Sequence, residues 1–296
     1  MANNGYILID MNNDQATVKK PLSLRIFSLA QSTGFKCHEV KEDCVFSLEN
    51  KDDNHILFLL EGKLKFSLNN FVNRKINSKE FVFIPIAADV KCKTLEYSRI
   101  ILFTVDNPMA YFDKEYTNSL LERCSQCEQS FIKLPFYEPV ENFVNHLILY
   151  AGHKINWKLL QEIKEMELLT VLKSFYRKEE ISNFFYPVIG KSPHFRMQVL
   201  RNYRQESHVD GLAQRIGIEK RSFSFQFKEE FNMSPYQWLL NQKAKHIHFS
   251  LAESDKTLDE IRAEFGFKFA GHFTRFCKKQ FNCTPVRLRR QLAYES

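Results

Sequence analysis

Residues 212–235 read LAQRIGIEKRSFSFQFKEEFNMSP, and residues 261–285 read IRAEFGFKFAGHFTRFCKKQFNCTP. The second stretch restates the first. Leu212-Ala213 and Gly217-Ile218 are answered by Ile261-Arg262 and Gly266-Phe267 at an offset of 49. Phe231-Asn232-Met233-Ser234-Pro235 is answered by Phe281-Asn282-Cys283-Thr284-Pro285 at an offset of 50. Between them, Phe223, Phe227 and Lys228 correspond to Phe273, Cys277 and Lys278. The second copy holds one more residue between its Gly and its first helical Phe. Self-similarity at a fixed offset means one supersecondary unit used twice.

The punctuation says what the unit is. Leu212 to Ile216 is a short helical pattern that stops at Gly217, a residue suited to a left-handed helix end. Phe223, Phe227 and Phe231 then recur every four residues, on one face of a second helix. Ser234-Pro235 with Gln237 starts a third helix with an N-cap, a Pro in the first turn and a capping-box partner. In the second copy Thr257 with Glu260 forms a capping box, Gly266 breaks, Phe273 and Phe276 carry the inner face, and Thr284-Pro285 opens the last helix. Short helix, Gly-containing turn and second helix is the helix-turn-helix plan, whose second helix enters a DNA major groove. A plain helical bundle uses the same periods. Two copies in register, with basic residues on the outer face of each second helix, favour the helix-turn-helix.

Residues about 195 to 291 resemble the DNA-binding domain of the AraC/XylS family of bacterial transcription regulators. The resemblance rests on Leu212-Ala213, on Phe227-Lys228 followed by Ser234-Pro235, and on Ile261 with Gly266-Phe267. Phe273-Thr274-Arg275, Phe281 and Thr284-Pro285 running to Arg289 extend it. The sequence departs from the family's pattern at Glu219, where a Ser or Thr cap is usual, and at Phe225, where a polar or basic residue is common. It departs again at Gln226, Cys277 and Leu288.

By position in that pattern, the resemblance implies base-reading residues Arg221, Ser224 and Phe225 in the first unit and Ala270, Gly271, Thr274 and Arg275 in the second. Arg can bond guanine bidentately, Ser and Thr reach either base type, and Phe can touch a thymine methyl. Ala270 and Gly271 offer little to read, which leaves Thr274 and Arg275 to carry the second unit. Lys220, Lys228, Lys268, Lys278 and Lys279 are phosphate candidates, which set register but not sequence.

Charge agrees once it is divided. From Gly190 onward there are 19 Lys+Arg against 11 Asp+Glu, a net of +8; the rest of the 42 and 35 leaves 23 against 24. A basic domain beside a neutral one is the footprint of a polyanion binder. With 296 residues and 28 Phe the chain can fill two cores. Its seven cysteines, Cys37, Cys44, Cys92, Cys124, Cys127, Cys277 and Cys283, are odd in number and unevenly spaced, which suits a reducing cytosol better than a disulfide framework. No signal segment opens the chain and no apolar run of about 18 residues exists. The expectation is a cytoplasmic protein with no membrane partner.

From Leu22 to about Val105 the pattern is that of strands: Leu24–Leu29, Val45–Leu48, Ile56–Leu60, Lys63–Leu68, Phe81–Pro85 and Arg99–Val105, with Tyr6–Ile9 before them. Glu61-Gly62 reads as a hairpin turn. Short strands between turns mean a barrel or sandwich. The strand-Glu61-Gly62-strand element with Phe83-Ile84-Pro85 resembles the cupin-type sensory barrel that precedes many AraC-family domains. A metal cupin enzyme would need a cluster of His and carboxylate ligands. Only His38 and His55 lie in the region, neither with a close His partner, so no metal and no cofactor is expected. Cys124-Ser125-Gln126-Cys127 has C-x-x-C spacing, but no second pair completes a zinc site. It reads as two cysteines near a helix, with a thiol redox sensor as the alternative.

Val140, Phe143, Val144, Leu147 and Ile148 form an amphipathic stripe. Leu159 to Tyr176 is a longer helix whose stripe is wider than one packing surface needs. Regulators of the resembled family often dimerise through such a helix, which implies Leu159, Ile163, Met166 and Leu169 at a homodimer face. Two prolines and a glycine in Tyr186–Pro193 mark a linker. Pro235 to about Leu251 joins the two units with Trp238, Leu239 and Ile247 inward. A helix of that length spans about 24 Å, and with the packing at its ends could set the recognition helices in major grooves about 34 Å apart.

The expected fold is an α+β multidomain chain. Residues 1–185 form a cupin-like effector and dimerisation domain (strands to about 105, helices about 115–183), 186–194 a linker, and 195–296 an all-α domain of two helix-turn-helix units joined by a long helix. The expected function is a sequence-specific regulator that binds double-stranded promoter DNA and is not an enzyme. It is an activator by resemblance, with RNA polymerase as a partner and a small-molecule effector in the barrel. Two alternatives stay open: a cupin metalloenzyme with an appended helical domain, and a constitutive DNA binder whose barrel only dimerises.

Overall fold

The computed structural model describes residues 6–10, 17–18, 26–27, 34–49, 53–124, 130–151, 157–206, 208–253 and 255–294. The chain forms two compact units. One takes in Met1–Lys65, Lys75–Ala88 and Cys92–Arg201; the other takes in Phe66–Arg74, Asp89–Lys91 and Asn202–Ser296. Strands dominate the N-terminal part and helices the C-terminal part, so the fold class is α+β.

In chain order the strands are β1 (Tyr6–Asp10), β2 (Thr17–Val18), β3 (Ile26–Phe27), β4 (Phe35–Val40), β5 (Val45–Glu49), β6 (Asn54–Glu61), β7 (Lys63–Leu68), β8 (Phe71–Asn77), β9 (Glu80–Ile84), β10 (Asp89–Thr94), β11 (Ser98–Val105) and, after the first helix, β12 (Lys133–Pro135). They build two six-stranded sheets, ordered β2-β1-β5-β10-β7-β8 and β12-β9-β6-β11-β4-β3. The apolar runs read from the sequence all fall on strands, although most of Leu24–Leu29 lies outside the described residues.

Five further strands, β2, β4, β8, β10 and β12, were not expected. β2 and β12 are two and three residues long, too short to show a pattern, and β4, β8 and β10 mix charge into their alternation and so hide their apolar sets. In β10 only Val90, Cys92 and Thr94 are buried, with Lys91 and Lys93 between them.

Glu61-Gly62 is not the turn of a paired hairpin. β6 and β7 belong to different sheets, so the dipeptide turns a corner between them. Gly62 has φ of +95°, and a Cβ there would lie 2.4 Å from the Tyr97 carbonyl oxygen and 2.7 Å from the Ser98 Cα. Both the backbone angle and the space demand Gly.

One face of the second sheet is covered by helices. α1 (Lys114–Cys124), α2 (Glu138–Ala151), α3 (Trp157–Phe175) and α4 (Lys178–Phe184) follow the strands. Phe143 of α2 meets Phe103 at 5.5 Å and Phe58 at 6.1 Å between ring centroids; Phe184 of α4 meets Phe81 at 5.2 Å. Tyr176 closes the layer, its hydroxyl donating to the Pro135 carbonyl at 2.6 Å. The stripe read on α2 is the buried one at Val140, Phe143, Val144 and Leu147.

The wide stripe of α3 splits in two. Leu168, Leu169, Leu172 and Tyr176 are buried, while Leu159, Ile163 and Met166 are 57%, 52% and 56% exposed. Leu169, 1% exposed, faces inward and is unavailable to a partner. Helical spacing allows this: Leu159, Ile163 and Met166 lie within about 60° of one another around the helix, and Leu169 lies about a third of a turn from Ile163.

Cys124 lies beside Ser182, Sγ to Oγ 3.1 Å, and Cys127 lies outside the described residues. In the stretch expected as a linker, Val188 and Ile189 are buried, and α5 (Pro193–Asn202) begins there with Pro in its first turn.

The C-terminal helices are α6 (Val209–Ile216), α7 (Lys220–Phe231), α8 (Pro235–Glu253), α9 (Leu258–Glu264), α10 (Ala270–Phe281) and α11 (Pro285–Tyr294). Among the described residues no helix is long and apolar enough to cross a membrane.

Candidate nucleic-acid interface

The two units repeat in three dimensions as they do in sequence. α6 ends at Gly217 in the left-handed region, φ +78°, and α9 ends at Glu264, with Phe265 between it and Gly266, φ +73°. α7 and α10 have 12 residues each and end on Asn232 and Asn282, both left-handed at φ +55° and +57°. Asn tolerates that conformation better than most residues, since its short amide bonds locally. These caps escaped the sequence reading, though the repeated Phe-Asn before Ser/Thr-Pro carried the signal.

The starts of the helices differ. Glu219 caps α7, its carboxylate accepting from the backbone N–H of Arg221 at 2.9 Å and of Ser222 at 3.1 Å. Those two donors hold its carboxyl below the ordinary range. The departure from Ser or Thr therefore keeps the capping function. α10 starts after Phe269, which makes no side-chain cap bond and is 66% exposed, its ring edge-on to His272 at 5.6 Å.

The longer turn of the second unit is held by Arg262. Its guanidinium donates to the carbonyls of Phe267 at 2.5 Å and Lys268 at 2.8 Å and to Asp259 at 3.0 Å. Ala213 stands at the matching place in the first unit, so sequence correspondence alone did not reveal this strut.

Thr257 and Glu260 form the reciprocal capping box expected of α9. At α8 only half of the expected box exists. Ser234 Oγ accepts from Gln237 N–H at 3.3 Å, but the Gln237 side chain donates to Asn241 instead.

Each second helix is anchored by one buried edge. Phe223 and Phe227 are fully buried, with Phe227 stacked on Phe231 at 4.3 Å and edge-on to Trp238 at 5.6 Å. In α10 the inward pair is Phe273 and Cys277; Phe276, expected inward, is only partly buried. The four-residue spacing of Phe273 and Cys277 matches Phe223 and Phe227, whereas Phe276 is one position off that line. On α8 the inward residues are Trp238, Ala244, Ile247 and Leu251, with Leu239 partly buried.

This leaves the opposite edges in solvent. Counting from the caps, Ser224 matches Thr274, Phe225 matches Arg275, and Lys228 matches Lys278. Arg221, Phe225, Ala270, Gly271 and Arg275 are exposed; Ser224 and Thr274 are half-buried at the border of the same edge. Phe225 is 71% exposed, which no core role explains. Ser224 Oγ donates to the Lys220 carbonyl at 2.8 Å, leaving its lone pairs outward.

Lys220, Lys228, Lys268, Lys278 and Lys279 are all exposed. Lys220 pairs with Asp210 at 2.8 Å. Among the described residues, Arg221, Lys228, Lys268, Arg275, Lys278 and Lys279 have no ion-pair partner. Both recognition edges therefore combine free cations with hydroxyl and aromatic groups. Among the described residues no group of three or more His, Cys, Asp and Glu is placed to hold a metal.

Two helix-turn-helix units joined by α8, each presenting a basic second helix, define a double helix-turn-helix domain. Residues 212–291 match the family model described as a helix-turn-helix domain. The HTH-type transcriptional regulator ExsA of Pseudomonas aeruginosa is 27% identical over 89 residues, 30% of this chain and 32% of that protein. The virulence regulon transcriptional activator VirF of Yersinia enterocolitica is 26% identical over 103 residues, 34% of this chain and 38% of its own. The match thus spans about a third of the length of these curated relatives. Among solved structures, ToxT of Vibrio cholerae aligns over 88% of this chain and 98% of its own, at 11% identity and a TM-score of 0.44. The DNA-binding domain of AdpA, solved in complex with a target DNA, aligns over 34% of this chain and 94% of its own, at 22% identity and a TM-score of 0.31.

Proposed function

We propose that the chain is a sequence-specific transcription regulator that binds double-stranded promoter DNA through α7 and α10 and is not an enzyme. The observation that carries this is the doubled unit itself: two recognition edges of matching length, exposed and basic, on buried aromatic anchors. Arg221, Ser224 and Phe225 read bases in the first groove, and Thr274 and Arg275 in the second, beside Ala270 and Gly271. Lys220, Lys228, Lys268, Lys278 and Lys279 meet phosphates. Residues 195–296 form the DNA-binding domain, 1–185 the effector and dimerisation domain, and 186–194 the connection between them.

The protein works as a cytoplasmic homodimer through the exposed line Leu159, Ile163 and Met166 on α3. It acts as an activator in contact with RNA polymerase; among its relatives, VirF of Yersinia enterocolitica is a transcriptional activator. A small-molecule effector in the sheet domain shifts the population of DNA-competent states.

The test is selection of fragmented genomic DNA on the full chain at two salt concentrations. A few fragments retained at the higher salt support the proposal. Uniform binding that collapses with salt leaves only phosphate attraction and overturns sequence-specific reading.

A further inference from the structure

We infer that Phe269, at the tip of α10, is a specificity-determining residue that reads a thymine methyl group in the major groove. The inference rests on the DNA-binding reading proposed above and adds to it a base contact that the sequence repeat does not reveal.

Phe269 stands where a polar residue is the rule. It is the N-cap of α10, with extended backbone at φ −121° and ψ 140°, and its side chain makes no cap bond. Ser, Thr, Asp and Asn serve that position by accepting from first-turn N–H groups, and a phenyl ring cannot. Glu219, the N-cap of α7, does accept from the N–H groups of Arg221 and Ser222.

Nor does the ring join the core. Phe265, Phe267, Phe276 and Phe281 pack against the buried cluster around Ile247, Ile261, Phe273 and Cys277. Phe267 lies 5.3 Å from Phe273 and 5.2 Å from Phe276 between ring centroids. Phe269 is 66% exposed, and the ring edge-on to it belongs to His272, itself exposed. The position thus forgoes a cap and leaves a phenyl ring in water. Both are unfavourable in the free protein, and a contact made on DNA offsets them.

The surroundings select the partner. A recognition helix meets base edges with its N-terminal residues. After Phe269 come Ala270 and Gly271, both exposed, and a Cβ at Gly271 would meet nothing within 4 Å. The first turn is therefore slim, and Phe269 is the large side chain at its tip. Lys268 and Arg275 are exposed cations on the same helix end and edge, which draw phosphates. Among the base edges of the major groove, thymine alone offers an apolar group, its C5 methyl, and Phe is a fitting contact for it. The first unit carries its exposed phenyl elsewhere, at Phe225, the sixth residue of α7 and 71% exposed. The two rings therefore meet different thymines.

The experiment is titration of the full chain on a DNA fragment retained at the higher salt, with thymines replaced one at a time by deoxyuridine, which lacks only the methyl group. One replacement should weaken the wild-type protein about fourfold through Phe269, the worth of one buried methyl-sized group. Phe269→Ser should bind the thymine and deoxyuridine fragments alike, while Phe225→Ser should keep the fourfold difference at that position. Phe269→Ser also supplies the missing cap and should raise the Tm of the protein alone by about 2 °C. The inference is overturned if no deoxyuridine weakens the wild type, if Phe269→Ser keeps every difference that the wild type shows, or if Phe269→Ser lowers Tm, which would make the ring part of the fold. A fragment retained without a methyl effect through Phe269 removes only this contact. The absence of any retained fragment removes the regulator reading and this contact with it.

Discussion

Cys277 holds in α10 the place that Phe227 holds in α7, eight residues beyond each cap, and both side chains are fully buried. The two units thus share a backbone plan but not a core. The first sets Phe227 among stacked rings, and the second sets Cys277 in a mixed core of Ile247, Leu251, Ile261 and Leu288 with Phe273. Phe227→Ala should cost about 3–5 kcal/mol, the range for emptying a buried aromatic site. Cys277→Ala should cost about 1 kcal/mol, near the centre of single-substitution effects. Chemical denaturation of the two variants checks the difference. Burial, with Cys283 adding to it, pushes the Cys277 thiol up to about 12. It should therefore resist alkylation at pH 7.5 in the native protein and react only after unfolding.

Arg275 and Lys278 stand on the same edge of α10 and should fail differently. Arg275→Ala should cost about 1–3 kcal/mol on the selected site and relax the preference at one base pair. Lys278→Ala should weaken all sequences alike and lower the salt slope by about one. Titrations on the selected site and on a scrambled one, at three salt concentrations, separate the two. A uniform loss for Arg275→Ala would move that residue to a phosphate.

Gly217 and Gly62 both have positive φ, but only Gly62 is also crowded. A Cβ at Gly217 meets nothing within 4 Å, so Gly217→Ala should cost about 1–2 kcal/mol from the backbone alone. Gly62→Ala should cost more, because the Tyr97 and Ser98 backbone must also move. A reversal of that order in melting experiments would contradict the corner geometry.

Glu165 should make stability depend on pH. Its carboxyl is buried, and burial, aided by the charge of Asp106, raises its pKa from 4.5 to about 7 against the backbone N–H groups of Asp106 and Asn107. Folding then favours the protonated form. The contribution is fully present below about 4.5 and is lost as pH rises through about 7. Glu165→Gln should flatten this window and stabilise the protein at pH 8 by up to about 3 kcal/mol. Denaturant melts at pH 5 and pH 8 give the comparison.

The exposed line on α3 gives a prediction about assembly. Ile163→Glu or Met166→Glu should yield a folded monomer by light scattering and weaken DNA retention. Leu169→Glu, with its buried side chain, should unfold the domain instead. A folded Ile163→Glu protein that remains dimeric would place the subunit contact elsewhere.

Much of this was legible in the chain. The repeated Gly, Phe and Ser/Thr-Pro positions fixed the order of the C-terminal helices and the outward edge of each recognition helix. Alternation identified β6, β9 and β11 because their apolar residues run nearly unbroken. It missed β10, where Lys91 and Lys93 interrupt the pattern. Pairing was less accessible than strand existence: Glu61-Gly62 announces a turn, but not whether the next strand stays in the same sheet. On α3 the apolar residues were visible, yet only packing could tell Leu169 from Met166. The exposure of Phe269 was out of reach as well, since a sequence does not show burial.

The corner at Gly62 also bears on the order in which the protein is made. A chain that turned back on itself there would pair neighbouring strands early. Here β6 must wait for β9 and β11, and β4 pairs with β11 across about sixty intervening residues. Loop closure over such distances precedes any reward from pairing, so the sheets assemble slowly. The helix-turn-helix units need only near neighbours. On a ribosome the edges of β4 and β6 that pair with β11 stay open until Val105 has cleared the exit tunnel. The cell then holds an unpaired, Phe-rich nascent segment, the kind of species that chaperones shield.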